Sequence, residues 1–202
     1  MIPDSDKLLP FSFYSNPDVV DASRQLLGKV LCSDVNGTYT SGIIIETEAY
    51  CGRDDRACHA NNGLRTDRTE VMYGDPGHAY IYLCYGIHHL FNVVTNKNGL
   101  ADAILIRSVK PLDGIDIIKE RRGNKRTPSL ADGPGKLTQA LGITTSFNKT
   151  YLSNPPVWIE DRGISVNPAD INASPRIGVD YAGEDAKKPW RFTINPSLLG
   201  KK

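Results

Sequence analysis

No apolar run in this sequence reaches the roughly 18 residues that a membrane-spanning helix needs, so no such helix is expected. Cysteine is scarce: only Cys32, Cys51, Cys58 and Cys84 occur in 202 residues. No secretory leader precedes them, and a disulfide framework is not the expectation. The first residues, MIPDSDKLLPFSFY, carry two prolines and two aspartates and no targeting pattern. An excess of either charge is missing as well. Lys and Arg total 24 against 23 Asp and Glu, a formal net charge of +1. No global basic field therefore announces nucleic acid, although a local basic face stays open. Repeats, low-complexity segments and a clean internal boundary are also absent. One domain over 1–202, soluble and in a reducing compartment, is the expectation, with enough chain to bury a core without staples.

What is present is a mixture of helix and strand patterns. NPDVVDASRQLLGK reads as a first helix, with Pro17 in the first turn, Asp18 and Asp21 at its positive end and Gly28 as its stop. Asn36-Gly37 lies between two β-rich runs, a strong hairpin signal. The second run continues through IIIETEAY. Residues two apart in a strand share a face, so Glu46, Glu48 and Tyr50 point together, away from Thr47. Carboxylates beside a core are costly unless paired, hydrogen-bonded or used. The simplest account is that they emerge into solvent at the strand's end.

Residues 51–77 are polar and turn-rich, with one His, two Cys and four Arg; a loop of that length is uncommon without a function. HAYIYLCYGIHHLFNVVT reads as two strands reversing at Gly86, and DAILIRSVKP as another. PLDGIDIIKERRGNKR reads as a helix with a basic tail. DGPGKLTQALGI reads as a short helix opened by Gly-Pro-Gly and closed by Gly142. The last fifty residues read as short strands, PVWIED, RIGVDYAG and WRFTI, between Pro- and Asn-rich loops. The fold class is α+β.

The second hairpin is the most informative element. Alternation puts Tyr80, Tyr82 and Cys84 on one face and Ile81, Leu83 and Tyr85 on the other, with Tyr85 at the tip. A tip aromatic either folds back on its own sheet or leaves the protein as a wedge. Wedges of that kind enter base steps from the minor groove, and an enzyme acting on a base must take it out of the stack. Base–aromatic stacking gives roughly 1–3 kcal/mol per base, while extrusion costs a few. Tyr50, Tyr82 and a plug at Tyr85 can offset that cost together.

ETEAY, His59 nine residues after Tyr50, PGHAYIYLCYGIHHLFNVV, LIRSVKPLDG, DGPGKLTQALGI and GVDYAGEDAKKPWRF together resemble the mammalian-type alkyladenine (3-methyladenine) DNA glycosylase family. The resemblance runs from about residue 17 to about residue 195. It implies a single α+β domain on a curved antiparallel sheet with flanking helices and a protruding hairpin that intercalates in DNA. By the same resemblance Glu48 matches the base that activates water and Arg107 the arginine beside it. Tyr50 matches the ring on one side of the flipped base, with His59 and Tyr82 on the other. Asn92 matches the pocket-floor asparagine that rejects the guanine 2-amino group, and Tyr85 the intercalating residue. Arg68, His88 and Lys136 are weaker candidates for the DNA backbone. The implied partner is double-stranded DNA with damaged purines, bound by a monomer without cofactor. The implied setting is the cytoplasm and nucleoid of a bacterium or the nucleus of a eukaryote. Two departures stand out: Leu90 where a Cys is common, and Arg68-Thr69 where Arg-Asn is usual.

Cleaving an N-glycosidic bond develops an oxocarbenium-like sugar, and a carboxylate beside it both deprotonates water and stabilises the positive charge. Arg107 favours its ionised form. Cationic purines such as 3-methyladenine leave readily, whereas neutral hypoxanthine or ethenoadenine needs help that no obvious second acid supplies. No lysine sits in the pocket motifs to form a Schiff base, so hydrolysis without strand cleavage is expected. Glu46 reads as a structural carboxylate paired to an arginine or a backbone N–H. His78, His88 and His89 read as structural or groove-lining. Zinc on Cys51, Cys58, His59, Cys84 and His88 is disfavoured by the spacing. A non-catalytic nucleic-acid-binding module and a small-substrate nucleoside hydrolase are the competing readings.

Overall fold

The computed structural model describes residues 3–124 and 130–201. Its frame is an antiparallel sheet curled around two long strands, β2 (Thr38–Tyr50) and β5 (Asp102–Asp113). These combine with β1 (Val30–Val35), β3 (Ala79–Cys84), β4 (His88–Thr95), β6 (Ser153–Asn154) and β7 (Val157–Glu160) in the order β3-β4-β5-β2-β1-β7-β6. The two-residue strand β8 (Ile164–Ser165) stands apart from this sheet, whereas β9 (Asn172–Ser174) and β10 (Arg191–Thr193) add to it, β10 pairing with β2 from Glu46 to Glu48. A last strand, β11 (Gly200–Lys201), pairs with β8. The helices are short: α1 (Phe11–Tyr14), α2 (Val19–Gln25), α3 (Ile115–Arg121) and α4 (Pro134–Leu141). The α+β expectation and the curved sheet both hold.

Both expected hairpins form, and for the expected reason. Asn36 and Gly37 have φ of 53° and 76°, and Tyr85 and Gly86 have 51° and 71°. Positive φ at both central residues defines the turn that matches strand twist.

One face of the sheet makes the main core. Ile44, Ala49, Ile81, Phe91, Ile104 and Ile106 pack there with Leu26 and Leu137. Thr47 lies on this side, its hydroxyl bonded to Ser23 of α2. The opposite face carries Tyr50, Tyr80 and Tyr82 in a smaller cluster with Met72 and Val94. Between the pairs Ile44–Val109 and Glu46–Ser108 β2 holds an extra residue, and between Glu46–Ser108 and Thr47–Ile106 β5 holds one, Arg107. Such bulges bend strands and re-aim side chains; here they aim Arg107 at the two glutamates.

Three local readings change. Asp18 caps α2, accepting from the Val20 and Asp21 amides at 2.9 and 3.0 Å. Pro17 therefore stands ahead of the cap rather than in the first turn, because a carboxylate satisfies free N–H groups and a proline cannot. RIGVDYAG forms no strand; Asp180–Lys187 is a 3₁₀ segment. The cause is Arg176, whose buried guanidinium donates to the Ala49 and Asp185 carbonyls and so draws the chain across the sheet end. The 51–77 loop is turn-rich, as read, with 3₁₀ turns at Asn61–Gly63 and Glu70–Tyr73. Finally, DAILIRSVKP extends as a strand to Asp113. Of the basic tail KERRGNKR, Lys125 and Arg126 lie outside the described residues. Gly133 and Pro134 open α4, and Gly142 at φ 68° ends it, as expected.

All four cysteines are free. Among the described residues no group of three or more His, Cys, Asp or Glu is placed to hold a metal, and no helix is long and apolar enough to cross a membrane.

Candidate active site

A cavity of about 730 Å³ opens on the tyrosine face of the sheet. Of the ten residues singled out from sequence, Tyr50, His59, Arg68, Tyr82, Tyr85, His88, Asn92, Arg107 and Lys136 line it. Glu48 stands behind that wall with no exposed surface. Its Oε2 accepts from the Tyr50 hydroxyl at 2.7 Å and from Arg107 Nη1 at 3.3 Å, and its Oε1 accepts from the Ile177 amide at 2.8 Å. A carboxylate offers about four acceptor sites, so about one is left for a further donor. All three of its partners line the cavity. Burial and the adjacent Glu48 charge push the Tyr50 hydroxyl well above its ordinary range; it stays a donor.

Glu46 is a paired carboxylate, as read from sequence. Its Oε1 accepts from Arg107 Nε at 3.0 Å and Arg191 Nε at 2.6 Å. The two glutamates hold Arg107 charged against its burial, so its pKa is raised.

His59 meets Tyr82 edge to face, with centroids 4.9 Å apart. Its Nδ1 lies 2.9 Å from the Tyr80 hydroxyl, and its Nε2 lies 3.1 Å from Arg68 Nη2. Arg68 Nη2 also lies 3.4 Å from Nδ1; a guanidinium only donates, so the neutral ring meets it with an acceptor nitrogen. Burial, with Arg68 adding to it, pushes the imidazole down to about 4. A group whose folded pKa is depressed binds fewer protons than in the unfolded chain between those two values, so stability falls as pH drops through that window. Thermal melts between pH 7 and 4 should show this loss, and His59→Gln should flatten it. An unchanged slope in His59→Gln would show that other groups set it.

Asn92 Nδ2 donates to the Tyr80 carbonyl at 3.0 Å and to the Leu90 carbonyl at 3.4 Å, which fixes the amide in the cavity wall. Leu90 itself is buried and lines the cavity. Thr69 closes its loop: Oγ1 accepts from the Thr66 amide at 2.9 Å and lies 3.0 Å from the Leu64 carbonyl. Both departures from the resembled pattern thus fit without disturbing Glu48 or the rings.

At the outer end, Tyr85 is 91% exposed; it does not fold back on the sheet. His88 packs beside Gly135, where a Cβ would come within 2.9 Å of its ring. Lys136 pairs with Asp132 at 2.9 Å. The expectation that no lysine stands in the pocket motifs needs qualifying, since Lys136 reaches the cavity from α4. His78 and His89 are structural. His78 binds the Asp75 carbonyl and stacks on Tyr151, and His89 accepts from the Thr145 amide.

Sequence reading missed Arg176. Its side chain is fully buried and pairs with buried Asp55, Nη1 to Oδ2 at 2.5 Å and Nη2 to Oδ1 at 2.7 Å. The guanidinium lies 4.7 Å from the Tyr50 ring centroid and 5.2 Å from that of Trp190. It backs the tyrosine, and the next residue's amide holds Glu48. A buried pair 121 residues apart leaves no local signal.

Its family and relatives make this protein a DNA glycosylase, an enzyme that takes DNA as its substrate and releases a base from it. More particularly, the chain belongs to the methylpurine-DNA glycosylase family, whose model matches residues 12–197. Among its relatives is a protein of Chlamydia felis named "Putative 3-methyladenine DNA glycosylase", 48% identical over 190 residues that cover 93% of this chain and 96% of the relative. Proteins bearing the same name in Bacillus cereus (strain AH820) and Chlamydia pneumoniae are 47% and 43% identical, over 91% and 96% of this chain and 93% and 98% of theirs.

Proposed function

We propose that this enzyme extrudes alkylated or damaged purines, 3-methyladenine foremost, from duplex DNA and hydrolyses their glycosidic bond with water activated by Glu48, leaving an abasic site. One observation carries the reading. Glu48 is held by Tyr50, Arg107 and the Ile177 amide, all of which border a cavity that the rings of His59 and Tyr82 also line. The purine enters between these rings, and its sugar lies toward Glu48. The remaining acceptor site on the carboxylate orients a water on C1′ and takes its proton as the oxygen–carbon bond forms. The C1′–N9 pair leaves with the base, and the carboxylate's charge stabilises the oxocarbenium-like sugar. Asn92, fixed by two carbonyls, stands against a purine 2-amino group.

Tyr85 is the plug. A bulky residue at positive φ costs about 1–2 kcal/mol, and the exposed ring is not buried against the described residues in return. Such strain is kept where it serves function. Tyr85→Asn suits the turn better, so its melting temperature should equal or exceed the parent's. Excision from duplex should nevertheless fall about tenfold or more, given an extrusion cost of a few kcal/mol, while excision from single strands changes little. Equal losses on both substrates would remove the wedge from the account.

The reaction stops at the abasic site. The cavity's lysine, Lys136, sits at the outer end and is paired to Asp132, which leaves Glu48 and water as the hydrolytic pair. Incubating the enzyme with duplexes bearing 3-methyladenine, 7-methylguanine, hypoxanthine or ethenoadenine, and measuring free base and abasic sites, tests the substrate class. Borohydride trapping of a covalent DNA–protein complex would overturn the hydrolytic assignment.

A further inference from the structure

Charge around the cavity is compensated nearly everywhere. Glu46 and Glu48 meet Arg107, Glu46 also meets Arg191, Asp55 meets Arg176, and Asp132 meets Lys136. Arg68 is the exception: among the described residues no carboxylate pairs with it. Its guanidinium instead lies 4.3 Å from the centroid of the Tyr82 ring, with Nη2 3.1 Å from His59 Nε2 and Nε 3.3 Å from the Tyr80 hydroxyl. These are neutral acceptors and a π face, and His59 stays neutral beside it. The wall around Tyr82 therefore carries a net positive charge, while by the reading above the sugar lies toward Glu48.

We propose that Arg68 drives departure of the base electrostatically, an uncompensated cation on the base wall that draws the glycosidic electron pair toward the purine. The inference rests on the slot and the Glu48 role set out above. As C1′–N9 breaks, both electrons go to the base. A 3- or 7-alkylated purine enters as a cation and leaves neutral, so Arg68 disfavours its bound ground state and favours its departure. Hypoxanthine enters neutral and leaves as an anion that takes a proton from solvent, so Arg68 stabilises the charge it develops. In both cases electron density moves toward Arg68, while the positive charge left on the sugar faces Glu48. A base resting against Tyr82 lies within about 8 Å of the guanidinium, one stacking distance beyond the ring. Arg68 is exposed in the free protein; duplex covering the cavity excludes water and strengthens the field. This reading moves Arg68 from the DNA backbone, its weaker assignment from sequence, to the chemical step.

The test compares Arg68→Gln and Arg68→Lys on duplexes with 7-methylguanine and with hypoxanthine. Single-turnover rates are measured at saturating enzyme, and binding is measured in a Glu48→Gln background. Arg68→Gln should lower both saturated rates about tenfold, the scale of a unit charge at that range. It should leave binding of the 7-methylguanine duplex equal or tighter, and Arg68→Lys should restore most of the rate. If Arg68→Gln instead weakens binding of lesion and undamaged duplexes alike, reduces the salt slope by about one and keeps the saturated rate, Arg68 is a phosphate contact and the proposal fails. Equal losses in Lys and Gln variants would mark a shape role and also overturn it. Base release that survives Glu48→Gln would sink the underlying reading instead, a separately visible outcome.

Discussion

Glu48→Gln should lower the single-turnover rate of base release by about 10³-fold, within the range expected when a positioned general base is removed, while affinity for lesion-bearing duplex stays within about twofold of the parent, since phosphate and stacking contacts set affinity. The change keeps the size of the side chain and an oxygen for the Ile177 amide or the Tyr50 hydroxyl, which now donate to Glu48. It removes the negative charge and the lone pair that takes the water proton. Arg107 is not stranded, because Glu46 also accepts from it at 3.0 Å. The melting temperature should therefore move little, and the loss can be assigned to chemistry. Rapid-quench measurement of free base, with binding measured by anisotropy on the same duplex, separates the two quantities. A variant that still releases base at the parent rate would end the assignment of Glu48. A variant that loses binding and rate together would make it an organiser of the pocket.

How much of this site could be read from sequence depends on the range of the interactions that build it. The alternation of β2 places Glu46, Glu48 and Tyr50 on one face, and that of β3 does the same for Tyr80 and Tyr82, because strand geometry is local. The turn residues Asn36-Gly37 and Gly86 fix both hairpins for the same reason. Compensating bulges that aim Arg107 at the glutamates depend on the pairing of two strands and have no signature in either one. The partners that hold Glu48 are the hardest to see: Ile177 lies 129 residues away and contributes only a backbone amide, which any residue type would offer. RIGVDYAG carries apolar residues at strand-like spacing, and the sequence does not show that its arginine is pulled inward by Asp55.

That arginine sets the second large expectation: Arg176→Met should destabilise the fold by about 3–5 kcal/mol, the usual cost of removing one partner of a buried ion pair. For a chain of this size the melting temperature should fall by on the order of 10 °C. Both side chains are fully buried, so Asp55 would be left in the core without its counter-charge and without water. Among the described residues it would retain the Ala57 and Cys51 amides, at 3.1 and 3.3 Å. Adding Asp55→Asn removes the stranded charge and should recover a large part of the lost stability, because replacing both members of such a pair is often nearly neutral. Activity should not follow. Without the guanidinium behind it Tyr50 loses the support that fixes its plane, and the Ile177 amide loses the neighbour that sets its position against Glu48. The double variant should thus melt near the parent and still release base at least tenfold more slowly, since small misplacements of catalytic groups carry rate losses of that order or greater. Thermal melts and single-turnover rates on the parent, the single and the double variant decide the matter. Activity that recovers with stability would reduce Arg176 to a structural residue, whereas stability that recovers alone makes it the part of the fold that holds both the stacking ring and the carboxylate in register.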